Sequence, residues 1–201
     1  MNVTLIDYGA GNVASVERAL QRLGAGSQRS HSPECIAKAE ALLLPGVGHY
    51  AALIRALDER ALRAPLLDAI RRGVPFLGVC LGLQALYETS EEAPELTGLR
   101  LLPGPVRSLP STVKLPHMGW NQLKLARSSR LLDGISSDAY FYFAHSFAAT
   151  NTDGDAVALC NHGSDFAAVI EKENIFAVQF HPEKSAGAGA RLLQNFLRIA
   201  A

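Results

Sequence analysis

Val74-Pro75-Phe76-Leu77-Gly78-Val79-Cys80-Leu81-Gly82-Leu83-Gln84-Ala85-Leu86-Tyr87 decides the fold. Val74 to Val79 reads as a short buried strand, and Leu83 to Tyr87 as the start of a helix. Cys80 then falls where strand turns sharply into helix, between Gly78 and Gly82, residues that tolerate backbone angles closed to other side chains. Such a nucleophile elbow lifts the sulfur clear of the sheet. A helix N-terminus behind it favours the thiolate, the reactive form of cysteine. A cysteine nucleophile needs a base, and the search for one leads outward along the chain.

Apolar runs alternate with helical patterns through the first half. Val3–Ile6 reads as a strand, followed by a helix from about Val13 to Leu23 with Val13, Val16, Leu20 and Leu23 on one face. Asn12 is placed to cap that helix and Gly24 to stop it. Ala41–Leu44 is the next buried strand, and a helical stretch from about Tyr50 to Arg72 follows, with Pro65 dividing it. Leu99 to Leu125 reads as short strands and turns. Further strands are expected at Tyr140–Phe147, Ala156–Leu159, Phe166–Glu171 and Ile175–Phe180, and a last helix from about Gly187 to Ile199. This alternation predicts an α/β fold: an open, mostly parallel twisted sheet with helices on both faces, plus a small antiparallel addition. With 201 residues and no repeat or linker, residues 1–201 read as one domain.

Composition removes several classes of function. Nineteen Lys and Arg offset nineteen Asp and Glu, so no nucleic acid or anionic membrane is expected as partner. No apolar run approaches a membrane span, and Met1 to Asp7 reads as a strand and not as a signal peptide. Cys35, Cys80 and Cys160 are three, widely spaced, with no Cys-x-x-Cys pair. They suggest no disulfide framework, and a reduced, cytoplasmic setting fits them best.

The base is found a hundred residues on. His181 closes the apolar run Ile175–Phe180, Pro182 stops it, and Glu183 follows. Working residues of open parallel sheets gather at the carboxyl ends of strands, so Cys80 and His181 should meet at one rim. Glu183 would take the second imidazole N–H and fix the ring's tautomer. Leu43-Leu44-Pro45-Gly46-Val47-Gly48 is another buried strand entering a glycine turn. Such a turn can aim backbone amides into a cleft, where the N–H groups of Val47 and Leu81 would hold an oxyanion.

Together, Gly78-Val79-Cys80-Leu81-Gly82-Leu83-Gln84 and Gln179-Phe180-His181-Pro182-Glu183 resemble the class I (triad) glutamine amidotransferases. Within them the chain is similar to the branch serving histidine biosynthesis. Asp7-Tyr8-Gly9-Ala10-Gly11-Asn12, Pro45-Gly46-Val47-Gly48, Pro116 to Asn121, Phe141 to Ser146 and His181 to Ser185 carry that likeness over essentially the whole chain. The resemblance implies that Cys80, His181 and Glu183 are catalytic and that Val47 and Leu81 form the oxyanion hole. It implies that Gln84 contacts the glutamine substrate, with Gly48, Glu92, His145 and Ser146 beside it, and that neither cofactor nor metal is needed. It further implies a separate (β/α)8-barrel cyclase subunit as partner in a heterodimer. That subunit would use the ammonia to make imidazole glycerol phosphate and an aminoimidazole carboxamide ribotide. Asn12, Trp120 and Lys184 would lie at the contact, and hydrolysis would rise when the cyclase binds its ligand. Leu83 stands where methionine is common, Phe147 where tyrosine is frequent, and His49 where a smaller residue is usual.

Other readings compete. Gly9-Ala10-Gly11-Asn12-Val13-Ala14 fits the G-x-G-x-x-A dinucleotide fingerprint between strand and helix. No acidic residue follows at Gln28-Arg29-Ser30, although Arg29 could meet a 2′-phosphate. A cysteine peptidase would use the same elbow without a partner, and a non-catalytic scaffold would have no use for an intact Cys80, His181 and Glu183. Cys160-Asn161-His162 offers two metal-ligand types but no further pair at a workable spacing.

Overall fold

The computed structural model describes residues 2–9, 12–150 and 154–201. Its first half runs β1 (Asn2–Ile6), α1 (Val13–Arg22), β2 (Gly26–Ser30), α2 (Pro33–Ala37), β3 (Ala41–Gly46), α3 (Tyr50–Glu59), α4 (Arg63–Arg71), β4 (Phe76–Cys80) and α5 (Leu81–Gln84). Then come β5 (Thr89–Ser90), β6 (Pro105–Ser108), β7 (His117–Gln122), β8 (Lys124–Leu125), β9 (Tyr140–His145) and β10 (Phe147–Ala149). The chain closes with β11 (Ala156–Asn161), β12 (Asp165–Lys172), β13 (Ile175–Val178), a 3-10 turn (Pro182–Lys184) and α6 (Ala186–Ile199).

Among the described residues the large sheet has the order β2-β1-β3-β4-β13-β12-β11-β8. Strands β2, β1, β3, β4 and β13 are mutually parallel, and β12, β11 and β8 extend the sheet antiparallel. Two small sheets stand beside it, β10-β6-β5 and the antiparallel ribbon β7-β9. The expected α/β architecture with an antiparallel addition is therefore present. Alternation along β3 shows why both faces carry helices. Leu42 and Leu44 join Leu53, Leu57, Leu66 and Ile70 of α3 and α4 in one apolar cluster. Ala41 and Leu43 join Val13, Val16 and Leu20 of α1 and Leu192 and Phe196 of α6 in the other. A strand buried on both faces must be apolar throughout, and every residue of β3 is buried.

Three expectations about local structure are corrected. The division of the Tyr50–Arg72 stretch falls at residues 60–62, where Ala61 takes φ 54°, and not at Pro65. Pro65 sits in the first turn of α4, where its missing N–H has no intrahelical acceptor to lose. The helix after Cys80 starts at once, at Leu81, and lasts a single turn. So short a helix has a small dipole, so its pull on the sulfur is smaller than the sequence reading supposed. Finally, β13 ends at Val178, two residues short of Phe180, although the Gln179 N–H still donates to the Ala168 carbonyl of β12 at 2.9 Å.

Candidate active site

Cys80 is the last residue of β4 and has φ 55° and ψ −107°. A non-glycine residue at such angles costs on the order of 1–3 kcal/mol and persists only where its surroundings impose it. The surroundings here are backbone. A Cβ on Gly82 would lie 2.1 Å from the Leu44 carbonyl oxygen, and one on Gly46 would lie 2.5 Å from the Leu81 Cβ. The β3 turn and the elbow are pressed together, and only glycine allows it.

Opposite the elbow, the backbone after β13 is tied to β9. His181 N–H donates to the Tyr142 carbonyl at 2.8 Å, Tyr142 N–H to Ser185 Oγ at 2.9 Å, and Ser185 Oγ–H to the His181 carbonyl at 2.6 Å. His181 Nδ1 faces Glu183 Oε1 at 3.0 Å, with both side chains almost fully buried. Burial disfavours the imidazolium, but hydrogen bonds to Cys80 and Glu183 outweigh it and raise the His181 pKa to about 9. Glu183 Oε2 is buried with no hydrogen-bond partner among the described residues. The charge on the imidazolium compensates the carboxylate for that unpartnered buried oxygen.

A cavity of about 170 Å³ opens beside the sulfur, lined by Val47, Gly48, Cys80, Leu81, Gln84, Glu92, Ala144, His145, Ser146, Phe147, His181 and Lys184. The ten sequence candidates in that lining come from five separate segments, so the fold brings them together. Glu183 stands behind His181. Trp120 is on β7, half exposed and edge-on to Tyr142 at 5.9 Å between ring centres. Lys184 is also exposed, 5.6 Å above the Tyr142 ring. Asn12 lies at the start of α1, where its carbonyl, and not its side chain, meets the free amides. Neither Asn12 nor Trp120 reaches the cavity.

Sequence reasoning missed some of this. Ala144 carried no signal at all. Gln179 did: a polar residue at an apolar strand's end, fully buried, with Nε2 3.6 Å from Cys80 Sγ. His49 has a structural task, since its Nδ1 accepts the Ala51 N–H and caps α3. A groove of about 650 Å³ elsewhere, lined by Arg127, Arg130, Glu171 and Arg198 among others, is larger than the cavity at Cys80. Its lining holds no cysteine or histidine, and its arginines bond to Asp133 and to backbone carbonyls. Chemistry, not volume, picks out the site.

The rival readings lose ground. Arg29 is engaged by Glu17 at 2.5 Å. Gly9 has φ 90°, while Ala10 and Gly11 of the fingerprint lie outside the described residues. Cys160 is buried, which pushes its thiol up to about 12, and His162 bonds the Lys114 carbonyl at 2.9 Å.

Comparison with known proteins agrees with this geometry. The family model for class-I glutamine amidotransferase matches residues 4–200. The chain is 46% identical to the imidazole glycerol phosphate synthase subunit HisH of Salinibacter ruber, over 98% of this chain and 94% of that one. It is 45% identical to the subunit of the same name from Methanothermobacter thermautotrophicus, over 98% of each. Among solved structures, a glutamine amidotransferase superposes with TM-score 0.78 at 20% identity, covering 98% of both chains. PurLQS from Thermotoga maritima gives the same score and identity, covering 100% of this chain and 99% of that one. The chain belongs to the class-I glutamine amidotransferase family, in which its curated relatives are HisH subunits of imidazole glycerol phosphate synthase.

Proposed function

We propose that this chain hydrolyses glutamine to glutamate and ammonia as a subunit of imidazole glycerol phosphate synthase, with Cys80 as nucleophile. The observation that carries the reading is the strained Cys80 at the mouth of a cavity that also holds His181, itself bonded to Glu183. The sulfur attacks the side-chain amide carbon of glutamine, and the negative charge moves to the amide oxygen. The N–H groups of Val47 and Leu81 are the donors assigned to that oxygen. His181 gives its proton to the departing nitrogen, so ammonia leaves and a glutamyl thioester remains on Cys80. Water, deprotonated by His181, then releases glutamate and restores the thiol. Glu183 keeps the ring oriented through both steps.

Gln84, Gly48, Glu92, His145 and Ser146 are assigned to the substrate pocket. The amide nitrogen of Gln84 already donates to the Phe147 carbonyl at 2.8 Å and to Gln179 Oε1 at 3.2 Å. What Gln84 can still offer a ligand is its own side-chain carbonyl. Glu92 holds the Tyr50 N–H at 2.8 Å, which fixes it beside the cavity.

Ammonia released to neutral water is protonated and ceases to be a nucleophile, so a glutaminase gains from a partner that receives it directly. The partner assigned here is a (β/α)8-barrel cyclase, docked on the rim that includes Asn12, Trp120 and Lys184. The names of the relatives support a synthase partner, and the exposed Met118, Trp120 and Tyr140 support a docking face on the ribbon. In the described residues no helix is long and apolar enough to cross a membrane. A cytoplasmic setting is the one proposed. The test is glutamine hydrolysis with and without the cognate cyclase and its ribotide ligand, beside Cys80→Ala. Stimulation that vanishes in Cys80→Ala supports triad and partner together. Thiol-dependent hydrolysis indifferent to the cyclase would move the chain to another pathway, and no hydrolysis in any arm would end the assignment.

A further inference from the structure

Two branches of buried hydrogen bonds meet at one atom, the backbone carbonyl oxygen of Phe147. A carbonyl can only accept, so both of its side-chain partners must donate: Gln84 Nε2 at 2.8 Å and His145 Nδ1 at 2.9 Å. That single constraint orients everything attached. The second hydrogen of Gln84 Nε2 goes to Gln179 Oε1 at 3.2 Å. Gln179 must therefore turn its amide nitrogen toward Cys80 Sγ, 3.6 Å away.

In the other branch, a proton on His145 Nδ1 leaves Nε2 to accept from His117 Nδ1 at 3.1 Å. His117 Nε2 then accepts from Asn121 Nδ2 at 3.3 Å. Asn121 is oriented independently, because its Oδ1 accepts the Gln122 N–H at 2.8 Å and its Nδ2 reaches the Asn161 carbonyl at 3.1 Å. Both ends thus require the same direction. Burial agrees, lowering His145 to about 3 and His117 to about 4, so both rings stay neutral. His117 and Asn121 point inward from β7, the strand whose outer side carries Met118 and Trp120.

We propose that Gln179 is a catalytic hydrogen-bond donor to the Cys80 sulfur, oriented by Gln84. In the second branch, His145, His117 and Asn121 are positioning residues that tie the Phe147 carbonyl to the docking strand. A sulfur that carries negative charge before attack, and again when glutamate leaves, is stabilised by an amide N–H that has no other acceptor among the described residues. The titratable groups facing that sulfur are His181, backed by Glu183, and Tyr8 from the end of β1; His145, Glu92 and Lys184 line the same cavity. None of them replaces the amide donor. The proposal rests on Cys80 being the nucleophile, but not on glutamine being the substrate.

The test is alkylation of the full chain by iodoacetamide, with adducts counted on the Cys80 peptide by mass spectrometry so that exposed Cys35 does not interfere. Gln179→Leu should slow alkylation of Cys80 about tenfold at pH 7, the size of one lost bond to a charged group. At pH 10 it should match the parent, a recovery that a general packing defect would not show. Gln179→Glu, of similar size, should slow it further at pH 7. Equal rates for parent and Gln179→Leu at pH 7 would overturn the proposal. So would a deficit equal at both pH values. Because alkylation reads the sulfur alone, failure here with glutamine hydrolysis intact in Gln179→Leu would leave the proposed function standing. Should the variants fail to fold, nitrogen NMR of the parent decides: the Gln179 side-chain amide resonances should shift when Cys80 is alkylated, and amide resonances that do not respond would overturn the proposal. His145 and His117 should both be neutral and protonated on Nδ1 at pH 6. A His145 ring protonated on Nε2 would contradict the branch through β7.

Discussion

The parallel half of the large sheet and the β7-β9 ribbon beside it solve different problems by different means. Around Cys80 the backbone does the positioning: β3 and β4 run in register from Leu42–Phe76 to Gly46–Cys80, and glycines let the elbow press against the next turn. The reactive sulfur goes where the chain sends it, and the buried polar side chains around it act on a sulfur already in place. In the ribbon, side chains decide. His117, Asn121 and His145 face inward and bond in one direction, while Met118 and Trp120 face solvent. A nucleophile needs fixed geometry, which backbone packing supplies. A pocket wall that must also answer to a partner needs contacts that can be exchanged, which hydrogen bonds supply.

That contrast can be broken in graded ways. The largest effect should fall on chemistry at the rim. His181→Asn is expected to lower glutamine hydrolysis about 10²–10⁴-fold, read as kcat/KM, and to lower the thermal midpoint as well, because Glu183 is left buried without its partner. The proton on His181 adds a pH dependence to stability. Its folded pKa of about 9 exceeds the usual 6.5, so the stabilisation is complete below pH 6.5 and is lost as pH rises through 9. Glu183→Gln removes one cause of the elevation, so an NMR titration should show the ring losing its proton at lower pH than in the parent. An unchanged titration would mean that Glu183 is only packed there.

Next in size is the backbone itself. Gly82→Ala forces a Cβ to 2.1 Å from a carbonyl that cannot swing away, and should cost about 3 kcal/mol or more, roughly a 10 °C drop in midpoint. Gly187→Ala in α6, where nothing lies within 4 Å, should instead raise stability by up to about 1 kcal/mol. If both changes were neutral, the claim that backbone packing places Cys80 would fail. The ribbon's outer face should behave oppositely: Trp120→Ala should alter stability by less than about 0.5 kcal/mol yet weaken cyclase binding about thirtyfold, measured by calorimetry. Smallest of all, Arg29→Ala breaks a surface pair with Glu17 and should leave the denaturant midpoint nearly unchanged.

The same contrast explains what could be read from the sequence. Strand β4, the elbow and the meeting of Cys80 with His181 were legible because apolar runs, glycine spacing and the rule about strand ends are all local or topological signals. The boundary at Ala61 was not, because a left-handed alanine leaves no compositional mark, whereas Pro65 is conspicuous and tolerated. Gln179 was quoted only as part of a motif. Its direction depends on Gln84 and Phe147, residues 95 and 32 positions away, and no periodicity reports that. The one-way order of His117 and His145 is hidden for the same reason. Trp120 carried no local signal of its exposure, because a tryptophan suits a core and an interface alike.

The central claim is that Cys80 forms a covalent bond with the substrate, and rapid acid quench during glutamine turnover followed by peptide mass spectrometry tests it most directly. The account predicts a glutamyl adduct on the Cys80 peptide, absent from those of Cys35 and Cys160 and absent in Cys80→Ala. Turnover with no adduct on Cys80, or with the adduct on another residue, would contradict it.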